Sequence, residues 1–490
     1  MEFYELLKKA KRNPSKSILN KLVKYEFNPE YCEKINLKKE FSELIRKVKK
    51  ENLEAIFDLV EKFIDCFSFK DVIDIISTIV NNIDLANIIE FLRDTSKYFE
   101  EKEILETYKE FKTKKKSIAV ILLPVITNIN HTAELVQFLS SEESMEKALL
   151  IFPFIENKTD KMSIIACLRR IIEERKDIIV NKLSSFIVPI FYISIISPET
   201  ANVLIERIYR IIKSNKNVLL KSLAFAPNLV EAKALLWVIS KYPQIFEPKK
   251  VIKSIILSVK NHGQNIILDA SQTLTIILQR LDEESRKHTI KILSRSRIDE
   301  LRLLAAHLAS EHIDDFHFRE ILRRLSIDKK RSIRKVAASY LLNYLPLIED
   351  KEELMRTVSY LILSGHASTI RKTLEILSMM ELSANDITSI IKKVSFDYRS
   401  STINAIIKLI ELYQDRLDAK FVIETLINLL KKVQEKKNLS EQILELIDTI
   451  LTQKEKEAAK FLKKILKRYK LKNEYEKRLQ RRIRSIFQKQ

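Results

Sequence analysis

Glycine is nearly absent from this sequence, since its 490 residues include only Gly263 and Gly365. Tight β-hairpins and turns with positive φ depend on glycine, so a substantial β-sheet is not expected. The Rossmann fingerprint, the P-loop and the GxSxG elbow each need closely spaced glycines. The two glycines lie more than a hundred residues apart, which excludes all three motifs. The sequence therefore predicts an all-α protein without these nucleotide-binding and hydrolase motifs.

The clearest helical pattern lies in Ser326–Pro346, which reads SIDKKRSIRKVAASYLLNYLP. Five apolar residues recur there at spacings of three and four, which places them on one face of a helix; they are Ile333, Val336, Ala337, Tyr340 and Leu341. This face is expected to be buried. Pro346 is expected to end the helix, because proline has no backbone N–H and clashes with the preceding turn.

The same layout recurs in Glu300–Ile313, Thr369–Leu382 and Thr402–Asp415. The first apolar residues of the four copies stand 32, 37 and 33 residues apart; they are Leu301, Ile333, Ile370 and Ile403. Repeats of this length, each forming one helical hairpin, are typical of α-solenoids. The repeats therefore predict a solenoid of stacked helical hairpins.

Two charged residues connect this pattern to a known family. Asp328 lies just ahead of the predicted helix, and Arg334 follows it six residues later. This arrangement resembles the second helix of a HEAT repeat, in which such an aspartate and arginine tie neighbouring repeats together. The resemblance implies a right-handed α-solenoid of HEAT/armadillo type and a structural role for Arg334. Arg302 and Arg371 match Arg334 in two other copies, whereas the fourth copy has Asn404.

The chain is predicted to have three regions. Residues 1–116 are expected to form an irregular helical N-terminal region or cap. Residues 117–453 are expected to form an array of about nine HEAT-like repeats, and residues 454–490 a basic amphipathic helical segment. Three prolines stand within apolar segments of the array, which is similar to the kinked first helix of many HEAT repeats; they are Pro124, Pro153 and Pro189.

The cysteines and the apolar segments bear on the cellular location. Cys32, Cys66 and Cys167 are far apart and form no CxxC pair, so neither a disulfide framework nor a zinc site is expected. No signal peptide is expected, because Met1–Arg12 is charged and amphipathic. No apolar run reaches the roughly 20 residues that a bilayer span needs. These features predict a cytoplasmic location, or a nuclear one in a eukaryote.

The net charge of +21 predicts attraction to polyanions. Residues 454–490 contain 15 Lys or Arg against 4 Glu, a net charge of +11, and keep an apolar stripe at helical spacing. Eight of these cations are predicted to contact phosphates of RNA or DNA; they are Lys463, Lys464, Lys467, Arg468, Arg478, Arg481, Arg482 and Arg484. A membrane surface, a partner protein and a plain capping role for this segment are the alternatives.

A second group of cations lies close to the start of the helix that contains Ile333. It consists of Arg323, Arg324, Lys329, Lys330 and Arg331. Equivalent positions of stacked repeats lie along one surface. These residues are therefore predicted to form a basic strip, together with Arg302, Arg371 and Lys372.

Neither a catalytic residue nor a metal site nor a cofactor is predicted. His307, His312 and His317 recur every five residues, a spacing that spreads them around a helix, whereas the histidines of an HExxH site share one face. A polar turn between helices is expected there instead.

The sequence predicts a non-catalytic scaffold that binds an acidic partner, with RNA, DNA or a ribonucleoprotein such as the ribosome favoured. The alternative is a protein–protein scaffold that holds its partner on the concave face and has no direct contact with nucleic acid. Ile370–Val394 is similar to the repeats of vesicle-coat adaptin trunks, which implies a scaffold of this second kind.

Overall fold

The computed structural model describes residues 2–26, 28, 30–48, 52, 54–80, 84–453, 455–469 and 471–488. Regular structure among these residues is helical, which confirms the predicted all-α fold class. The chain divides into two compact units, Met1–Arg280 and Leu281–Gln490, which are called unit 1 and unit 2.

Unit 1 contains helices α1 to α19. Their bounds are α1 Glu2–Arg12, α2 Lys16–Lys24, α3 Glu30–Lys34, α4 Leu37–Ile45, α5 Glu54–Lys62, α6 Phe69–Ser77, α7 Leu85–Ser96, α8 Glu101–Lys114, α9 Lys116–Leu122, α10 His131–Leu139, α11 Glu142–Ile155, α12 Lys161–Glu174, α13 Lys176–Asn181, α14 Leu183–Ile196, α15 Pro198–Ser214, α16 Lys216–Phe225, α17 Leu229–Lys241, α18 Pro248–His262 and α19 Ile267–Leu278.

The helices of unit 1 pack in two rows. One row contains α1, α4, α6, α8, α10, α12, α15, α16 and α18. The other contains α2, α5, α7, α9, α11, α14, α17 and α19. Each hairpin gives helices to both rows and packs on the next hairpin, which is how stacked helical repeats bury a continuous core.

Unit 2 contains helices α20 to α31. Their bounds are α20 Glu283–Ser294, α21 Asp299–Ser310, α22 Phe316–Ser326, α23 Arg331–Tyr344, α24 Lys351–Leu363, α25 Ala367–Ser378, α26 Ala384–Val394, α27 Ser400–Tyr413, α28 Ala419–Val433, α29 Lys437–Gln453, α30 Glu455–Leu466 and α31 Asn473–Gln488. The described part of unit 2 forms six hairpins, with the even-numbered helices in one row and the odd-numbered helices in the other. The predicted HEAT/armadillo-type architecture of helical hairpins is thus confirmed.

Helix α23 shows why the repeat pattern predicts the fold. Ile333, Ala337 and Leu341 are at most 1% exposed, because burying one apolar face removes it from water. The helix ends at Tyr344, and Pro346 lies in the short 3₁₀ turn that follows. The predicted end of the helix is therefore confirmed, and so is burial of the stripe at these three residues, whereas Val336 and Tyr340 are only half-buried.

The four aligned repeat positions are equivalent in the structure. They lie on α21, α23, α25 and α27, which succeed one another in one row of unit 2. Each of these side chains is at most 5% exposed; they are Leu301, Ile333, Ile370 and Ile403. The longer step from Ile333 to Ile370 comes from α23 and α24, which have 14 and 13 residues, whereas α22 and α26 have 11 each.

Two of the three prolines lie where they are predicted. Pro153 is inside α11 and Pro189 is inside α14. The prediction for Pro124 is wrong, because α9 already ends at Leu122. Leu123 still has helical backbone angles, but Pro124 has no backbone N–H with which to continue the helix.

Many charged side chains join neighbouring repeats. Lys38 Nζ lies 2.8 Å from Asp74 Oδ2, and Lys70 Nζ lies 2.7 Å from Glu110 Oε1, each pair bridging successive helices of one row in unit 1. In unit 2, Lys351 of α24 lies 2.8 Å from the carboxylate of Asp386 on α26. Each exposed pair contributes only about 0–1 kcal/mol to stability. Part of the high charge content therefore serves the contacts between repeats.

Cys32 and Cys66 form a disulfide, which corrects the expectation that no disulfide is present. Cys32 lies on α3, and Cys66 lies in the 3₁₀ turn after α5. Their separation of 34 residues is about one repeat, so the stacking of adjacent hairpins brings them together. Sequence analysis missed the pair because the N-terminal region lacks a regular pattern that would align the two positions.

Candidate partner-binding surfaces

The C-terminal helices α30 and α31 pack on the preceding helices of unit 2. Helix α30 packs on α28 and α29, and α31 packs on α29 and α30. Their apolar stripe is at most 6% exposed at Leu462, Ile465, Tyr475, Leu479 and Ile483. Because the stripe is buried within the protein, it is not available for insertion into a membrane surface. The segment therefore caps the preceding hairpin.

The eight predicted C-terminal cations fall into two groups. Six are exposed and form no ion pair with a described residue; they are Lys463, Lys464, Lys467, Arg468, Arg481 and Arg484. The other two tie α31 to α29, since Arg478 lies 2.5 Å from the carboxylate of Glu441 and Arg482 donates to the Thr452 hydroxyl at 2.7 Å. The structure thus leaves six of the eight available to a partner.

A cleft of about 760 Å³ opens between the two C-terminal helices and is called the α30/α31 cleft. Four cations line it; they are Lys460, Lys463, Lys467 and Arg484. Leu466 and Ile483 give it a buried apolar lining, and Phe487 is a more exposed apolar group with 38% of its surface accessible. Glu476 is the one carboxylate among the described lining residues, and it accepts a hydrogen bond from Gln480 Nε2 at 2.9 Å.

Arg323 of the second predicted cluster is fully buried, at 0% exposure. Its guanidinium pairs with Glu320 and Glu353 and donates to Thr357 Oγ1 at 3.1 Å. Arg324 is half-buried and donates to the Ser294 hydroxyl, and burial lowers the pKa of its guanidinium. Arg323 is therefore not placed to contact a partner.

The remaining members of the second cluster lie at the surface. Lys329, Lys330 and Arg331 are exposed, and Lys330 Nζ lies 3.7 Å from Asp299. The structure does not bring all five residues to one surface, because Arg323 lies on the inner side of α22, whereas Lys329 and Lys330 lie in the turn that follows and Arg331 begins α23. The other cations predicted for the strip also differ in exposure. Arg302 is buried, at 5% exposure, whereas Arg371 and Lys372 are exposed.

Arg302, Asp328 and Arg334 connect successive hairpins. The guanidinium of Arg302 donates to both carboxylate oxygens of Asp328, at 2.7 and 3.0 Å. Arg334 donates to the carbonyl of Asp328 at 2.8 Å and to that of Ser364, in the next hairpin, at 3.1 Å. The structural role implied for Arg334 is thus confirmed, and Arg302 shares it.

A second surface runs across α25, α27 and α29 and is called the α27 groove. It consists of two adjoining clefts that share Asn404, Lys408 and Glu411 of α27. The cleft toward α25 measures about 500 Å³, and the cleft toward α29 about 560 Å³. Because the clefts share one wall of α27, they form a continuous feature across three successive hairpins.

The lining of the α27 groove mixes charges of both signs with apolar groups. Lys408 pairs with Glu411 at 2.6 Å, while Glu445 of α29 is exposed. Leu412 contributes an apolar side chain that is 50% exposed. The Oε1 atom of Gln414 is buried beside the groove and accepts no hydrogen bond from a described residue.

Sequence analysis did not single out this groove. The one available signal is the spacing of Asn404, Lys408 and Glu411, which recur at steps of four and three. That spacing marks a single polar face of α27, but any solvated helix face shows the same pattern.

Neither metal binding nor membrane crossing is indicated by the described residues. They contain no group of His, Cys, Asp and Glu that could hold a metal ion. Within the same part of the chain, every helix is too short or too polar to cross a bilayer. The expected polar turn holds only for His312, because His307 lies on α21, with Nδ1 2.7 Å from the Tyr340 hydroxyl, and His317 lies on α22.

No protein-family model and no curated protein matches the chain. Among solved structures, it is similar to a homology model of the full-length AP-3 complex, with 14% identity over 98% of this chain and 94% of that chain and a TM-score of 0.29. It is also similar to Kap121p bound to Ste12p (11% identity, 92% and 52% coverage, TM-score 0.26) and to SYS-1 (13% identity, 99% coverage of both chains, TM-score 0.23). These TM-scores are too low to support a conclusion about function.

Proposed function

We propose that this protein is a non-catalytic α-solenoid scaffold that holds an extended segment of a protein partner in the α27 groove. The observation that carries the proposal is the groove itself, which crosses three hairpins and exposes half of the Leu412 side chain between charges of both signs. A bound peptide would remove this apolar surface from water.

The length of the groove suits a short peptide. Packed helices lie about 8–10 Å apart, so α25, α27 and α29 span roughly 20 Å. An extended chain rises about 3.3 Å per residue, and about six residues therefore cross the groove. The exposed Asn404 can donate to and accept from such a backbone.

The charges of the groove favour a protein over a polyanion. Its lining contains the carboxylates of Glu375, Glu411 and Glu445 against the cations of Arg371 and Lys408. A phosphate backbone would face this excess of carboxylates. A peptide with charges of both signs avoids that repulsion, and Leu412 offers it an apolar contact.

A peptide-display selection on the full-length protein tests the proposal. Peptides selected on the protein should lose at least about tenfold in affinity when the groove carries Leu412→Asp. The matched control is Leu347→Asp, since Leu347 is an exposed leucine of unit 2 that lies in the turn after α23. If no peptide is enriched, or if both variants weaken binding equally, the groove is not the docking site.

The six exposed cations of α30 and α31 favour a second candidate function, the binding of an acidic partner, with RNA, DNA or a ribonucleoprotein included. The expected mark of phosphate contact is an affinity that falls steeply with salt. Charge reversal is the appropriate test, because deleting α30 and α31 would uncover the apolar surface of α28 and α29. If reversal at Lys467 and Arg468 leaves RNA and DNA binding unchanged, nucleic acid is not held there.

The cytoplasmic or nuclear location is part of the proposal. Disulfides are rare in those compartments, so the redox state of Cys32 and Cys66 in cells bears on it directly. This location predicts that thiol labelling in intact cells finds both cysteines reduced, in contrast to the disulfide of the structure. Finding them oxidised would place the protein in an oxidising compartment.

A further inference from the structure

The α30/α31 cleft combines two features that a simple phosphate-binding surface does not need. Cations line it from both helices, and between them lies an apolar lining made by Leu466, Ile483 and Phe487. Among its described lining residues, the only carboxylate, that of Glu476, already accepts a hydrogen bond from Gln480. The electrostatic character of the cleft is therefore positive around an apolar centre.

The cations of α30 are spaced like the turns of a helix. Lys460, Lys463 and Lys467 follow one another at steps of three and four, so they share one face and cover about 10 Å along the axis. A helix lying in the cleft would present its own side chains at the same intervals. Acidic residues at those intervals would meet the three lysines in register.

We propose that the α30/α31 cleft binds an acidic amphipathic helix of a partner protein. This inference rests on the proposed acidic-partner surface and names the class of its partner. The apolar side chains of the helix pack chiefly on Phe487, above the buried Leu466 and Ile483, while its flanking carboxylates face Lys463, Lys467 and Arg484.

The apolar lining decides between this partner and nucleic acid. Exposed ion pairs contribute little affinity each, whereas burial of apolar surface contributes in proportion to its area. A nucleic acid backbone would use the cations but leave uncovered Phe487, which is the most exposed apolar side chain among the described lining residues. Phe487 is the one aromatic side chain among the described lining residues, so the cleft offers little of the successive stacking that single-stranded nucleic acids use.

The test uses the full-length protein and a labelled synthetic helix of about 18 residues, with leucines along one face and glutamates beside them. A second peptide has serine in place of each leucine, and single-stranded RNA and duplex DNA serve as the other probes. The first peptide is expected to bind saturably, and the serine peptide at least about tenfold more weakly. Equal binding of both peptides, or tighter binding of RNA or DNA, would overturn the inference while leaving an acidic partner in place.

Matched variants locate the binding. Lys463→Glu should weaken binding of the leucine peptide at least about tenfold, and Lys464→Glu, the same change on the adjacent exposed residue outside the cleft, should change it by less than about threefold. Phe487→Ala should weaken peptide binding, whereas Phe396→Ala, at another exposed phenylalanine of unit 2, should not. Equal losses from both lysine variants would mean that overall charge, not the cleft, holds the peptide.

Failure of every probe to bind would overturn both the inference and the acidic-partner candidate. The scaffold function of the α27 groove is measured separately with Leu412→Asp. The outcomes at the two surfaces are therefore distinguishable.

Discussion

Asp84 and Asn228 cap each other's helices across unit 1. The amide oxygen of Asn228 accepts a hydrogen bond from the backbone N–H of Leu85 at 3.0 Å, and Asp84 Oδ2 accepts one from the N–H of Leu229 at 2.7 Å. The backbone N–H of the first residue of α7 is thus bonded to the side chain of the residue before α17, and the N–H of the first residue of α17 is bonded to the side chain of the residue before α7. Three helices of the same row, α9, α11 and α14, lie between these two along the chain. The ends of non-neighbouring repeats therefore meet, which a stack with contacts only between neighbours would not show.

This reciprocal capping predicts energetic coupling between the two residues. Asp84→Ala and Asn228→Ala should each cost about 1–2 kcal/mol, because each leaves a helix N–H without its cap. The double variant should deviate from additivity by about 0.5 kcal/mol or more, as contacting residues do. Urea unfolding of the four proteins measures the coupling.

The control for this cycle pairs Asn228→Ala with Asp160→Ala. Asp160 caps only its own helix, α12, through the N–H groups of Met162 and Ser163. The effects of those two substitutions should add within about 0.5 kcal/mol. Additive effects for Asp84 and Asn228 as well would mean that the mutual caps do not form in solution.

Glu353 is the centre of a buried charge cluster in unit 2. It accepts hydrogen bonds from Arg319, at 2.5 and 3.1 Å, and pairs with the buried Arg323. Glu353→Ala should cost about 3–5 kcal/mol, because it leaves the poorly solvated guanidinium of Arg319 without a carboxylate and that of the buried Arg323 with Glu320 alone. Arg323→Met should cost less, since Glu353 keeps Arg319. Urea unfolding measures both losses.

The adjacent Glu352 is exposed and provides the control. Glu352→Ala should change the free energy of unfolding by no more than about 0.5 kcal/mol. If Glu353→Ala lowered the free energy of unfolding by as little as this, Glu353 would not be the centre of the charge cluster.

The pH dependence of stability should reflect the carboxylates of Glu353 and Asp328. Burial would raise the pKa of each, but hydrogen bonds from arginines outweigh it and hold both pKa values below the ordinary range. A carboxylate with a lowered folded-state pKa stabilises the fold above its unfolded-state pKa, and this contribution is lost as the pH falls through the folded-state value. Unit 2 should therefore lose stability progressively below about pH 4.

Asp328→Asn should flatten this pH dependence and lower stability at neutral pH, because an amide cannot replace the carboxylate opposite Arg302. Asp415→Asn, at an exposed aspartate of the same unit, should leave the slope unchanged. Denaturant midpoints measured from neutral to acidic pH give the slopes. Equal slopes in the unchanged protein and in both variants would show that Asp328 does not contribute to the pH dependence of stability.

Gly365 stands in the turn between α24 and α25 with φ of +74°. An added Cβ would lie 2.5 Å from Arg399 Nη1, and that guanidinium donates to the carbonyls of Leu363 and Ser364. Gly365→Ala should therefore cost the left-handed backbone penalty of about 1–2 kcal/mol. It should also cost about 1 kcal/mol for the disturbed hydrogen bonds.

Gly263 is the matched control, because it has φ of +62° but no atom within 4 Å of an added Cβ. Gly263→Ala should show the backbone penalty alone. Urea unfolding gives both costs, and hydrogen exchange should place the larger loss at the turn after α24. Equal costs would show that Arg399 moves aside freely.

The architecture was predictable because its causes are local. The stripe that contains Ile333 and Leu341 repeats within a few residues, and a buried helix face needs nothing beyond that spacing. The role of Arg334 was implied by the resemblance of its spacing from Asp328 to that in HEAT repeats. A helical hairpin that repeats along the chain can therefore be predicted directly from the sequence.

The surfaces were less predictable because they depend on which repeat positions meet. Arg323 and Lys329 look alike as cations in the sequence, yet one is fully buried beside Glu353 and the other is exposed. The partner Glu353 stands 30 residues away, and only the packing of α22 on α24 brings it close.

The Cys32–Cys66 disulfide closes a loop of the chain that contains α4 and α5, while α1 and α2 lie outside it. A closed loop has fewer unfolded conformations than an open one, so the bond favours the folded state of the segment it encloses. Under oxidising conditions, α4 and α5 should therefore open less readily than under reducing conditions, whereas α1 and α2 gain no such restraint from the bond.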